Sequence, residues 1–227
     1  MIEITDVERT FTVGRRPVHA LRGISMQIRR GAFALLMGPS GSGKTTLLNL
    51  VGGLDRPTAG DIVVDGVSLT ERSENELAEM RRTVGFIFQS FALLVTASAY
   101  ENVEMGLRIA ATTPRSEWNG RIRRSLAAVG LTNWIDHRPY EMSGGQQQRV
   151  AIARAIAIRP RLILADEPTG DLDSRTSART LRLLRALADN EECTLLVSSH
   201  DPAAIDYATD VYRLRDGAIE SYERRES

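Results

Sequence analysis

Cysteine, lysine and long apolar runs are nearly missing from this chain of 227 residues, and each shortage narrows what it can be. The single cysteine, Cys193, leaves no disulfide within the chain. Beside the apolar run 194–197 it reads as a core thiol in a reducing compartment. No apolar run approaches the roughly 20 residues that span a bilayer. Met1-Ile2-Glu3-Ile4-Thr5 has neither the basic nor the apolar region of a signal peptide. The expected location is the cytosol, with any work at a membrane done by docking on another protein. Excess charge is lacking too. Lys+Arg and Asp+Glu number 29 each, which gives no support to a nucleic-acid or membrane-surface role.

The lysine shortage is informative in a different way. Of the 29 basic residues, Lys44 alone is lysine and the rest are arginine. A coding bias explains the arginines but not the place of the exception, inside the strongest motif of the chain. Lysine is a compact point charge on a flexible stem, whereas arginine is a broad planar fork.

What is present suits a globular enzyme. With 42% hydrophobic and 26% charged residues, the chain makes one compact unit, or one domain carrying an inserted subdomain. Loose alternation up to about Arg30 predicts short strands of a small sheet. The continuous apolar runs 33–37, 162–165 and 194–198 predict buried strands. Shorter strands are expected at 61–64 and 84–88, and a strand pair around Asp216-Gly217. Helices are expected at 45–51, from the capping-box spacing at Ser73 to Arg82, at 146–158 and at 174–188. Residues from about 90 to 160 read as helical, with a start at Pro114-Arg115-Ser116-Glu117. Strands alternating with helices on both sides of a helical block predict an α/β fold with a parallel sheet and a helical insertion.

Gly38-Pro39-Ser40-Gly41-Ser42-Gly43-Lys44-Thr45 fits the G-x-x-x-x-G-K-[ST] phosphate loop. Its glycines let backbone N–H groups curl toward phosphate oxygens, and the helix that follows adds its positive end. Lys44 is expected on the β/γ phosphates and the Thr45 hydroxyl on Mg²⁺. The strand 162–165 ends in Asp166-Glu167. Beside a phosphate loop, Asp166 supplies a carboxylate for Mg²⁺ and Glu167 is free to activate water.

Ser143-Gly144-Gly145-Gln146 opens a helix. It reads either as a second anion site or as a serine N-cap with a glycine turn. Gln89 and His200 each close a strand, and in a parallel sheet ligands gather at those ends. His19 and His137 have no such context and read as ordinary loop residues.

Together these residues resemble the ATP-binding subunit of an ABC transporter, over nearly the whole chain. Residues 38–45 look like Walker A, 162–167 like Walker B, and Met142-Ser143-Gly144-Gly145-Gln146 like the LSGGQ signature. Gln89 resembles the Q-loop residue, His200 the switch histidine, and Gly170-Asp171-Leu172-Asp173 the D-loop. The resemblance implies a P-loop NTPase with an N-terminal antiparallel β subdomain and, at about 90–160, an inserted helical subdomain within a single domain 1–227. It implies ATP and Mg²⁺ as ligands and a second copy of the chain paired head to tail, so that Ser143, Gly144, Gly145 and Gln146 act on the opposite ATP. In this reading Ser40, Gly41, Ser42, Gly43 and Thr46 join Gly38, Lys44 and Thr45 around the phosphates. Phe11 stacks on adenine, Asp173 crosses the dimer, and Thr45, Asp166 and Gln89 serve Mg²⁺. Glu167 is the base and His200 holds the γ-phosphate.

The resemblance further implies separately encoded transmembrane permease subunits, reached through a groove on the helical block, and a peripheral place on the inner face of the membrane. Gly52-Gly53-Leu54-Asp55-Arg56-Pro57-Thr58-Ala59-Gly60 is similar to the macrolide-export, lipoprotein-release and cell-division ATPases. Val95 stands where a proline is frequent, and Ser198-Ser199-His200 replaces a Val-Thr-His type of ending. The alternatives are an ABC ATPase driving a non-transporting complex of the cell-division type, a nucleic-acid-associated ABC ATPase, and a small-molecule kinase. The second lacks its coiled-coil insertion or tandem cassette here. The third would not need residues 143–146.

Overall fold

The computed structural model describes residues 1–170, 172–191 and 193–225. In chain order the elements are strands β1 (Ile2–Val13), β2 (Arg16–Ile28) and β3 (Phe33–Met37), helix α1 (Lys44–Val51), β4 (Ala59–Val64), β5 (Val67–Ser68), α2 (Glu74–Arg81) and β6 (Val84–Ile87). Then come α3 (Ala99–Ala110), α4 (Arg115–Ala128), α5 (Gly144–Ala157), β7 (Leu162–Asp166), α6 (Ser174–Glu191), β8 (Thr194–Ser199), β9 (Asp210–Arg215) and β10 (Ala218–Arg224).

Two sheets result. One is antiparallel, in the order β2-β1-β4-β5, and the other runs β10-β9-β3-β8-β7-β6. In the second, β9, β3, β8, β7 and β6 are parallel and only β10 runs against its neighbour. The central strands are continuous apolar runs because both faces are covered. Phe33, Leu35, Ile163, Ala165, Leu195 and Val197 face a core shared with α3, α4, α5 and α6. Ala34, Leu36, Leu162, Leu164 and Leu196 face a second core shared with α1 and the antiparallel sheet. Successive residues of one strand thus feed opposite layers.

The N-terminal region departs from the sequence expectation. It holds not short strands but a hairpin of 12 and 13 residues. Register shifts around Val7 and Arg9, with Asp6 at a positive φ of 46°, bend the hairpin and break the alternation that would have revealed its length. His19 is accordingly a strand residue, not a loop residue, with Nδ1 3.0 Å from Thr10 Oγ1. His137 does lie in a turn, its ring against Trp134. The capping box on α2 is present as its spacing predicts, with Ser73 Oγ and Glu76 bonding reciprocally. Such a cap contributes about 1 kcal/mol.

Candidate functional site

Strand β3 is buried along its whole length, and the chain leaves its end directly into the phosphate loop. The loop closes at Gly43, the N-cap of α1, which takes φ 103° and provides no side-chain cap. A β-carbon at Gly43 would lie 2.7 Å from both Ala20 O and Leu21 Cδ2, so glycine alone fits. The first amides of α1 have no acceptor within the helix and face the cleft. The Ser42 hydroxyl is buried and has no hydrogen-bond partner among the described residues. Lys44 Nζ donates to the carbonyls of Gly38 at 2.8 Å and Pro39 at 3.1 Å, and it lies 3.5 Å from Glu167 Oε1.

Strand β7 delivers the two acids beside this loop. Thr45 Oγ1 donates to Asp166 Oδ1 at 3.1 Å. Glu167, one residue on, takes a left-handed φ of 46°, and this turns its side chain from the line of the strand back toward the loop. Its Oε2 lies 2.9 Å from His200 Nδ1 and accepts the His200 backbone N–H at 3.3 Å. The carboxylate therefore sits between an ammonium and an imidazole and is itself only 12% exposed.

Ser40, Gly41, Ser42, Gly43, Lys44, Thr45, Thr46, Gln89, Glu167 and His200, with Ala20, line one cleft of about 300 Å³. Residues from β6, β7 and β8 thus converge on the loop after β3, as the strand-end reasoning expects.

The remaining predicted residues are elsewhere. Ser143 and Gln146 form a capping box at the start of α5: Gln146 Oε1 accepts the Ser143 N–H at 2.8 Å, and Ser143 Oγ accepts the Gln146 N–H at 3.3 Å. The N-cap reading of the sequence therefore holds within one chain, and none of residues 143–146 lines the cleft. Gly145 has a packing reason as well, since a β-carbon there would lie 2.6 Å from Thr176 Cγ2.

Asp173 caps α6. Its carboxylate accepts the Thr176 hydroxyl at 2.6 Å and the amides of Thr176 and Arg175, bonds that hold its pKa below the usual carboxylate value. Asp171 lies outside the described residues. Phe11 is on β1 with the Arg9 guanidinium 4.4 Å from its ring centroid, and Arg9 is paired in turn with Asp55. Phe11 does not line the cleft.

Three contributors escaped the sequence reading. Ala20 lines the cleft because β2 passes behind the loop. Ser198 donates to the Asp166 carboxylate and accepts the Glu167 backbone N–H; its signal was a hydroxyl pair ending an otherwise apolar strand. Arg154 of α5 donates to the carbonyls of Phe91 and Ala92, both at positive φ, and so ties the segment after Gln89 to α5.

Residues 21–170 match the family model described as ABC transporter. The chain belongs to the ABC transporter family. It is 45% identical over 226 residues to an uncharacterized ABC transporter ATP-binding protein of Thermotoga maritima, covering 99% of this chain and 96% of that one. It is 46% identical over 223 residues to the macrolide export ATP-binding/permease protein MacB of Syntrophobacter fumaroxidans, spanning 97% of this chain but 31% of that longer protein. The dimeric structure of the ATP-binding cassette MJ0796 in a post-hydrolysis state, bound to ADP and Pi, superposes with a TM-score of 0.93 at 37% identity, with both chains fully covered.

As an ABC ATP-binding subunit the chain binds ATP with Mg²⁺ and hydrolyses it, and the cleft fits both. The unpartnered Ser42 hydroxyl and the uncapped start of α1 suit phosphate oxygens. Thr45 and Asp166, 3.1 Å apart, and Gln89 on the cleft wall offer oxygen donors of the kind Mg²⁺ prefers.

Proposed function

We propose that two copies of this chain pair head to tail and hydrolyse ATP at the shared face, driving separate membrane subunits of an export or lipid-extraction type. The observation that carries this reading is the setting of Glu167, whose two oxygens address Lys44 and His200 at the wall of the phosphate cleft. The reaction is ATP and water to ADP and phosphate. Lys44 moves from the loop carbonyls to the β/γ phosphates, and the amides of the loop and α1 hold the remaining oxygens. Thr45, Asp166 and Gln89 would hold Mg²⁺, which neutralises charge on the phosphates when bound. Glu167 accepts the proton of the attacking water. His200 keeps Glu167 and the γ-phosphate in line.

Ser143, Gly144, Gly145 and Gln146 act on the partner copy's ATP through the start of α5, and Asp173 reaches across the same interface. In this role the capping box of Ser143 and Gln146 keeps the first turn of α5 formed before the anion arrives. Phe11 takes the adenine once Arg9 yields one face of its ring. The chain forms a single ATPase domain with residues 90–160 as its inserted helical part.

Among the described residues no helix is long and apolar enough to cross a membrane, so the reading places the chain at the inner membrane face through its partner. The partner's cytoplasmic helix fits a groove of about 250 Å³ lined by Phe86, Phe88, Ala92, Met105, Ile109 and Arg154. Their mainly apolar side chains suit an amphipathic helix.

The test is the dependence of ATP turnover on protein concentration. Specific activity should rise with concentration until the dimer saturates. A specific activity that stays flat while sizing shows a monomer would sink the shared-site model.

A further inference from the structure

Strands β7 and β8 are parallel neighbours, and their register sets Asp166 beside Ser198. Adjacent residues at matched positions present their side chains to the same face of a sheet. Ser198 has no solvent exposure, so its hydroxyl must find its partners within the protein. It finds two. Its Oγ accepts the Glu167 backbone N–H at 2.9 Å and donates to Asp166 Oδ1 at 2.6 Å.

A hydroxyl carries one hydrogen. With an amide directed at its oxygen, that hydrogen is committed to Asp166. The 2.6 Å separation belongs to the short range of hydroxyl–carboxylate bonds. The result is a relay in one direction, from Glu167 N–H through Ser198 O–H to the Asp166 carboxylate. Thr45 Oγ1 donates to that same Oδ1 at 3.1 Å. Oδ2 receives no hydrogen bond from the described residues, so the carboxylate is held by one oxygen and offers the other. The relay also holds the Glu167 amide at the point where the chain enters its left-handed turn.

We propose that Ser198 is a positioning residue that orients the Asp166 carboxylate for magnesium-bound nucleotide and ties the Glu167 backbone to it. The inference rests on the reading of the cleft as a Mg·ATP site. Ser198 itself touches neither substrate nor cation.

The experiment measures binding of a non-hydrolysable ATP analogue by calorimetry, with Mg²⁺ and with EDTA, for the wild type, Ser198→Ala and Ser198→Thr. Removing a hydrogen bond behind a metal ligand weakens metal affinity by about 10-fold or more. Ser198→Ala should lose about that factor with Mg²⁺ and nothing with EDTA, and Ser198→Thr should restore the wild-type difference. The proposal is overturned if Ser198→Ala matches the wild type with Mg²⁺, or loses equally in both conditions. A Ser198→Thr protein that melts like the wild type yet still binds Mg·analogue weakly also overturns it. If Mg²⁺ makes no difference to the wild type, the reading of the cleft fails first and this inference falls with it.

Discussion

Nδ1 of His200 lies 2.9 Å from Oε2 of Glu167, at the mouth of a cleft whose inner side carries Lys44 Nζ, 3.5 Å from the other oxygen of the same carboxylate. A carboxylate gripped at both ends is fixed in direction before any substrate arrives, which lowers the reorganisation needed at the moment of reaction. The histidine is the more exposed member, at 62% against 12%, so it is the one able to swing away.

Glu167→Gln should retain this geometry and lose the proton acceptor. A glutamine side chain is close in size and still accepts a hydrogen bond from His200, but it does not deprotonate water. Turnover should fall by at least about 100-fold, the scale of a general base. The variant should also accumulate as a dimer in excess ATP and Mg²⁺, visible by sizing with light scattering. A dimer-free profile with normal nucleotide binding would contradict the head-to-tail model.

Lys44→Arg keeps the charge and should still abolish hydrolysis. Nζ sits in a pocket with 6% exposure, donating to two carbonyls of the curled loop. A planar guanidinium is too broad for that space and directs its donors differently. A fall in kcat/KM of about 100-fold or more is expected, as for losing a preorganised donor to a charged transition state. Wild-type turnover would end the argument that this position selects a point charge.

Arg154→Met should loosen the segment after Gln89. Burial holds the pKa of Arg154 below the usual arginine value, and its guanidinium bonds the carbonyls of Phe91 and Ala92. Methionine preserves most of the stem that packs under Gly106 but not the two bonds. A loss of about 2 kcal/mol in denaturant unfolding is expected for charged-group hydrogen bonds. Faster amide exchange across residues 89–95 should accompany it, read by hydrogen-exchange mass spectrometry. Unchanged exchange there would show that Arg154 does not restrain the loop.

The sequence revealed those parts whose cause is local. The phosphate loop, the apolar runs of β3, β7 and β8, and the Ser73–Glu76 cap each rest on residues close in the chain, and each is found as expected. The gathering of Gln89, Asp166 and His200 at the phosphate loop was legible through one general rule about strand ends in parallel sheets. What was not legible depends on pairing between distant segments. The length of the β1–β2 hairpin is set by cross-strand partners that tolerate exposed residues and bulges. Ser198 acquires its role only because the register puts it beside Asp166, 32 positions away. Arg9 lies over the Phe11 ring while paired with Asp55, a partner 46 positions away that no local pattern announces.

The order of strands in the parallel sheet has one more consequence. Asp166 and His200 hang from β7 and β8, each hydrogen-bonded on both sides, while Gln89 hangs from β6, a four-residue strand with a single neighbour at the rim. A rim strand can shift sideways by breaking one ladder, whereas an inner strand must break two. The cleft is therefore built on a stiff centre with a compliant border on its β6 side. Gln89, next to Phe88 on that border, is thus the cleft residue with the least restrained support, while Asp166 on β7 and His200 after β8 stay anchored on both sides.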